Sequence, residues 1–171
     1  MDERIELIDP TAELEGDFRA MAAEYARAGE DYYQDVPTDF GTFVSKLADE
    51  SAGKGLPAGW VPCNHYWLVR DGGRVLGTSR LRHKLTDSLL YGGGHIGYEI
   101  RPSERRKGYG TRLLALTLER ARARGLQRVM LSCLVENQAS AGVIEANGGV
   151  FEDAVDSSVM NGRIKRYWID L

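Results

Sequence analysis

Between Glu99 and Leu118 the chain leaves an alternating apolar segment, crosses Arg101-Pro102, and enters the run Arg105-Arg106-Lys107-Gly108-Tyr109-Gly110. A helical period set by Leu114, Leu118 and Ala121 follows at once. Proline stops the strand, and two glycines let the backbone approach a bound group closely. The turn directs consecutive N–H groups outward, and the helix behind it adds the positive end of its dipole. A strand, an anion-seating turn and a helix in this order require a sheet packed against helices. The turn suits a pyrophosphate, but it lacks the Gly-x-x-x-x-Gly-Lys-Ser/Thr spacing of a P-loop and the three-glycine dinucleotide fingerprint, which argues against both of those classes.

The rest of the chain supplies the sheet. Arg4 to Ile8 alternates as a first strand ended by Pro10, and Thr11 caps a helix over residues 12–27 with Leu14, Phe18, Met21 and Tyr25 on one face. Thr38 starts a second helix with Phe40, Phe43, Val44 and Leu47, and the glycine- and proline-rich residues 51–63 read as a loop. Tyr66 to Val69, the turn Asp71-Gly72-Gly73 and residues 74–85 form a hairpin; after a loop around Asp87, His95 to Ile100 is another strand. Beyond the central helix, which Gly125 ends, residues 128–135 are a strand, Asn137 caps a helix over 139–146, and residues 150–160 and 163–171 pair across Asn161-Gly162. There is no internal repeat or linker, so a single mixed α/β domain over residues 1–171 is expected.

Charge narrows the ligands. With 22 basic and 25 acidic residues the net charge is −3, which weighs against a nucleic-acid partner held by overall positive charge. The basic residues are nevertheless gathered between Arg101 and Arg128, while the N-terminal third is acidic, a distribution suited to a small polyanion. Cys63 and Cys133 have no metal-binding or disulfide-framework spacing, so a metal site is not expected and a reducing compartment is. The acidic start and the lack of any run of ~18 apolar residues predict a cytoplasmic protein with no membrane partner.

Arg105-x-x-Gly108-x-Gly110 resembles the acetyl-CoA signature of the GNAT superfamily of N-acetyltransferases, and Tyr98-Glu99-Ile100-Arg101-Pro102 resembles its fourth strand. A second block, Asn137-Gln138-Ala139-Ser140 with Ile144 to Phe151, is similar to the family's Asn-x-x-Ser/Ala helix and its glycine-ended exit. The resemblance implies a central, mostly antiparallel, splayed sheet flanked by helices, with a C-terminal β-hairpin and a gap between the fourth and fifth strands for the pantetheine of acetyl-CoA. It implies that Arg105, Arg106, Lys107, Gly108, Tyr109, Gly110 and Thr111 hold the pyrophosphate, with Ile100, Arg101, Asn137 and Ser140 also at the donor. Many relatives carry, at the position of Ile144, a tyrosine thought to protonate the leaving thiolate. The aliphatic form with Ser140 is more similar to the ribosomal-protein N-terminal acetyltransferase branch, where the helix serine is the candidate acid. Homodimers are common among such chains.

The reaction so implied is direct attack by a primary amine, of a small molecule or a peptide, on the acetyl thioester. A lysine-like amine is only ~0.1% neutral near pH 7.4, a cost of roughly 4 kcal/mol, so a base is needed. His95, Gly97, Glu99 and Arg101 share one face of a regular strand, and Ile96, Tyr98 and Ile100 the other. Glu99 is the favoured base and His95 the second candidate; pairing of Glu99 with Arg80 or Arg101, or a bulge in the strand, is the competing arrangement. The Ile100 N–H is placed to polarise the carbonyl, and Cys133 reads as core. The alternatives are a non-catalytic acyl-CoA-binding or sensing module on the same fold, an acyltransferase using a donor longer than acetyl and, less in keeping with the acidic balance, an RNA- or ribosome-associated protein.

Overall fold

The structure, a computed structural model, describes residues 3–171; Met1 and Asp2 lie outside the described residues. Strands β1 (Ile5–Ile8), β2 (Cys63–Arg70), β3 (Arg74–Arg82) and β4 (Ile96–Ile100) form an antiparallel sheet in that order. Strands β5 (Arg128–Leu134), β6 (Val150–Ser157) and β7 (Gly162–Asp170) form a second antiparallel sheet in the order β5-β7-β6.

Alternation along β2 divides the core. Tyr66 and Leu68 join Leu76, Leu81 and Ile96 beneath helix α4 (Tyr109–Ala123), which inserts Leu113, Leu114, Leu118 and Ala121. Trp67 and Val69 face the other way with Val75, beneath Phe18, Met21 and Tyr25 of α1 (Glu15–Arg27) and Phe40 of α2 (Phe40–Ser51). Leu114 is wholly buried, so truncating it to alanine removes about 2–5 kcal/mol of stability.

Several boundaries follow local chemistry that the pattern alone does not resolve. Thr11 caps a 3-10 turn over Ala12–Leu14, and α1 begins only at Glu15. Asp39, not Thr38, caps α2, accepting from the Thr42 N–H at 3.1 Å. The expected loop around Asp87 contains a short helix, α3 (Asp87–Leu90), started by the Thr86 hydroxyl. Ser157 pairs with Gly162, so residues 158–161 form the hairpin loop, and Asn161-Gly162 is not a two-residue turn.

A pair of hydrogen bonds joins the start of β4 to β5. His95 N–H donates to the Met130 carbonyl at 2.8 Å, and the Met130 N–H donates to His95 Nδ1 at 2.9 Å. Gly94 makes this approach feasible: its φ is 58°, and a Cβ there collides with the Met130 carbonyl. β4 and β5 share no further ladder, so a gap opens between them. The β-bulge lies in β3 rather than β4: Leu68 pairs with Gly77 and Val69 with Val75, leaving the Leu76 carbonyl to accept from Arg101 N–H at 2.9 Å. Pairing of β3 with β4 is regular, which keeps His95, Gly97 and Glu99 on one face. No helix among the described residues is long and apolar enough to cross a membrane.

Candidate active site

A groove of about 700 Å³ follows the open edge of β4. Tyr98, Glu99 and Ile100 line one wall, and Asn137, Ala139, Ser140 and Val143 of α5 (Gln138–Ala146) and its cap line the other. The groove ends at Arg105, Arg106, Gly108, Gly110 and Thr111. α5 is fixed there by its cap, Asn137 Oδ1 accepting from Ser140 N–H at 3.0 Å. Asn147 Nδ2 donates to the Thr111 and Val143 carbonyls at 3.2 and 2.9 Å, tying α5 to α4.

The turn before α4 is open and uncapped. Gly108 has φ 84° and Arg106 φ 60°, both left-handed, and α4 starts with no side-chain cap. The first N–H groups of the helix therefore have no partner within it and sit at the positive end of its dipole. A Cβ on Gly108 meets nothing within 4 Å, so the backbone there is open, whereas one on Gly110 approaches Val143 Cγ2 to 3.2 Å, where α4 and α5 pack closely. Arg105 is held by the Ile100 carbonyl at 3.0 Å and by both oxygens of Glu30 at 2.7 and 2.8 Å. Arg106 has no carboxylate at ion-pair distance among the described residues. Orphan N–H groups, a free guanidinium and open space at Gly108 fit a pyrophosphate, and the groove between the sheets fits the narrow chain attached to it.

Not every expected residue comes to this groove. Arg101 is almost fully buried on α1 instead, bonded to Asp17 at 2.8 Å and Glu24 at 2.7 Å, so its side chain anchors the N-terminal helix and holds no donor. His95 is also buried away from the groove, its Nδ1 occupied by the Met130 N–H; burial depresses its pKa to about 4, so it is a neutral structural acceptor where the sheets meet. Lys107 turns to Glu104 at 2.9 Å, and the Tyr109 hydroxyl to Glu3 and Arg70 at 3.0 and 3.3 Å, leaving only backbone at those two positions for a ligand. Within the basic cluster, Arg101 and Arg105 are thus paired with carboxylates of the N-terminal third, Lys107 with Glu104 and Arg128 with Asp170. Ile144 is fully buried beneath Gly149 and offers nothing to the groove. Cys133 lies in the core as expected.

Glu99 does reach the groove, and its carboxylate is heavily held. The Thr78 hydroxyl donates to it at 3.0 Å, the Tyr33 hydroxyl lies at 3.5 Å, and Arg80 Nη2 pairs with its other oxygen. Burial and the Glu99 charge push the Tyr33 phenol well above its ordinary pKa, so it stays a donor. Of the two competing partners it is Arg80, not Arg101, that pairs with Glu99.

Tyr98 escapes sequence reasoning, because alternation puts it on the face opposite Glu99. The groove lies along the edge of β4, where residues from both faces converge, and the Tyr98 hydroxyl is 2.8 Å from Ser140 Oγ. Burial pushes its pKa up to about 12, which keeps the proton in place. Glu30 and Tyr32 line the groove too, brought there by the segment after α1, and no local pattern marks them.

A sequence profile described as "Acetyltransferase (GNAT) family" matches residues 22–148. No curated protein sequence matches the chain. Among solved structures, the microcin C7 self immunity acetyltransferase MccE in complex with acetyl-CoA and AMP superposes with a TM-score of 0.73 at 14% identity, over 98% of this chain and 92% of that one. An acetyltransferase from Salmonella typhimurium that modifies the N-terminal serine of ribosomal protein L7/L12 gives 0.69 at 17%, over 98% and 95%. The ribosomal-protein-S5-alanine acetyltransferase of Vibrio fischeri gives 0.65 at 17%, over 98% and 92%. Likeness at these identities establishes the shared fold.

Proposed function

The chain belongs to the GNAT acetyltransferase family, and on that premise we propose that it transfers the acetyl group of acetyl-CoA to a primary amine by direct attack. One observation carries this reading: the gap between the two sheets runs from the uncapped start of α4 past Glu99 and Ser140, so that donor turn and proton-handling groups line a single groove. Acetyl-CoA as substrate supplies the activated acyl carbon; this chain's residues bind and orient it and move protons.

Residues 105–111 receive the pyrophosphate through backbone N–H groups and Arg106. The C–N bond forms as the amine adds to the thioester carbonyl, and nitrogen becomes far more acidic once bonded. Glu99, whose carboxylate reaches the groove wall, then accepts its proton. The C–S bond breaks, and Ser140 donates a proton to the leaving sulfur while Tyr98, 2.8 Å away, restores the one it gave up. Solvent closes the balance. His95 has no part in this scheme, and neither has the Arg101 side chain.

Titration calorimetry of acetyl-CoA into the wild type and Gly108→Trp, with thiol release on a panel of amines, tests the proposal. Binding that Gly108→Trp abolishes, together with thiol release, supports it. Absence of binding overturns the donor site, and tight binding without release on any amine identifies a sensing module in place of an enzyme.

A further inference from the structure

The sheet face that carries Glu99 continues into a second cavity, of about 320 Å³, and its floor is set by register. Thr78 pairs with Glu99 and Arg80 with Gly97, and the Arg82 N–H donates to the His95 carbonyl, so Thr78, Arg80 and Arg82 form a row leading away from Glu99. His65 and Cys63 of β2 flank that row. The apolar side chains of α1 and α2 cover the end bearing Trp67 and Val75; over the other end stand Leu56, Trp60, Val61 and Leu89, with Glu50 of α2 at the border.

Two glycines make room for the two guanidinium groups: a Cβ on Gly97 lies 3.0 Å from Arg80 Nη2, and one on Gly93 lies 3.3 Å from Arg82 Nη1. Arg80 is neutralised by Glu99. Arg82 is fixed by the Gly93 and Gly94 carbonyls at 3.1 and 3.2 Å, and no carboxylate among the described residues stands within ion-pair distance of it. The single carboxylate lining the cavity, Glu50, is taken by His65 Nε2 at 2.8 Å. A held cation with unused N–H groups, inside a cavity whose other arginine, Arg80, pairs with the proposed base, calls for an oxyanion.

We propose that this cavity seats the acceptor, and that the acceptor is an elongated amine ending in an oxyanion, a carboxylate or phosphate, bound by Arg82 while its nitrogen lies at Glu99. This rests on the reading of the groove as an acyl-transfer site. The span follows from the strands: Arg82 lies opposite His95 and Thr78 opposite Glu99, and four residues of strand cover about 13 Å. Such a distance excludes a free amino acid and matches about three or four residues of extended peptide.

The test uses alanine peptides of one to four residues with free or amidated C-termini, and thiol release from acetyl-CoA as readout. For the three- and four-residue peptides the free acid is expected to exceed the amide in kcat/KM by about tenfold to a hundredfold, the worth of one charge-assisted hydrogen bond. Alanine itself should show no such preference. Arg82→Gln should erase the preference, and Arg82→Lys should keep part of it, with acetyl-CoA affinity unchanged in both. An aminoalkyl phosphate of equal span, against its neutral alcohol, distinguishes phosphate from carboxylate as the oxyanion. Amides as good as acids in the wild type, or a preference that survives Arg82→Gln, overturns the proposal. If no peptide releases thiol, calorimetry of N-acetyl-trialanine against its amide reads the same site without turnover. Acid-selective binding that Arg82→Gln removes then supports the cavity while the enzyme reading fails.

Discussion

The hydroxyl groups of Tyr98 and Ser140 lie 2.8 Å apart across the groove, one from the edge strand of the first sheet and the other from the first turn of α5. The two residues are remote in sequence, and Asn137, by capping α5, fixes the turn that brings Ser140 to Tyr98. If the pair protonates the leaving thiolate, Ser140→Ala lowers kcat by about a hundredfold, a usual value for one positioned acid, and Tyr98→Phe by a smaller factor. KM for acetyl-CoA should stay near the wild-type value in both. Steady-state kinetics checks this, and an unchanged kcat in both variants removes the pair from the chemistry.

Glu99→Gln is expected to lower kcat/KM at neutral pH by about a hundredfold or more while acetyl-CoA still binds. Part of the loss should return as pH rises, beyond the gain that deprotonation of the amine gives both proteins, because hydroxide can then take the nitrogen's proton in place of Glu99. A pH–rate profile of the two proteins measures this, and parallel profiles would assign Glu99 a structural role.

Arg101 is predicted to matter for stability and not for the donor. Its replacement by methionine leaves Asp17 and Glu24 with the longer Arg74 ion pairs at 3.6 and 3.9 Å, and losing the buried charged hydrogen bonds costs about 2–3 kcal/mol. Urea unfolding should show that loss, and the acetyl-CoA affinity of the folded fraction should be unaltered.

His95 gives the fold an acid limit. Its pKa is lowered on folding from 6.5 to about 4, so below pH 6.5 the unfolded chain binds the extra proton and the folded one does not. Stability is therefore intact above pH 6.5 and falls as pH drops toward 4, by an amount on the order of 3 kcal/mol. His65 and His83, also lowered chiefly by burial, act in the same direction. Denaturant midpoints at pH 7, 6 and 5 should decline for the wild type and decline less for His95→Asn, whose amide oxygen can still accept from Met130.

What could be read from sequence and what could not separate along physical lines. The Gly108 turn and α4 were legible because glycine placement and a helical period coincide within one short segment. Glu99 was legible as a residue on the same strand face as His95 and Gly97, and regular β3–β4 pairing bears out that shared face. The roles of His95 and Arg101 were not, since they depend on Met130, Asp17 and Glu24, which arrive from remote parts of the chain. Tyr98 was missed because face alternation is a rule for the middle of a sheet, and β4 borders a gap. Asn161-Gly162 misled for a related reason: the Ser157 hydroxyl bonds the Tyr91 carbonyl and accepts from Met160 N–H, and this fixes a longer loop than the dipeptide favours.

Glu30 holds Arg105 with both carboxylate oxygens, and both residues line the donor groove. The segment that carries Glu30 goes on through Tyr33, which reaches Glu99, to α2, whose Glu50 borders the second cavity. If Arg105 also meets the donor's phosphates, as the proposed site implies, any acceptor that shifts this segment changes how Arg105 is shared between Glu30 and those phosphates. Thermodynamic linkage makes the effect mutual: whatever factor the acceptor imposes on donor affinity, the donor imposes on acceptor affinity. Two substrates that meet only at the reacting atoms would then sense each other through one ion pair, and the cooperativity of their binding would scale with the strength of that pair.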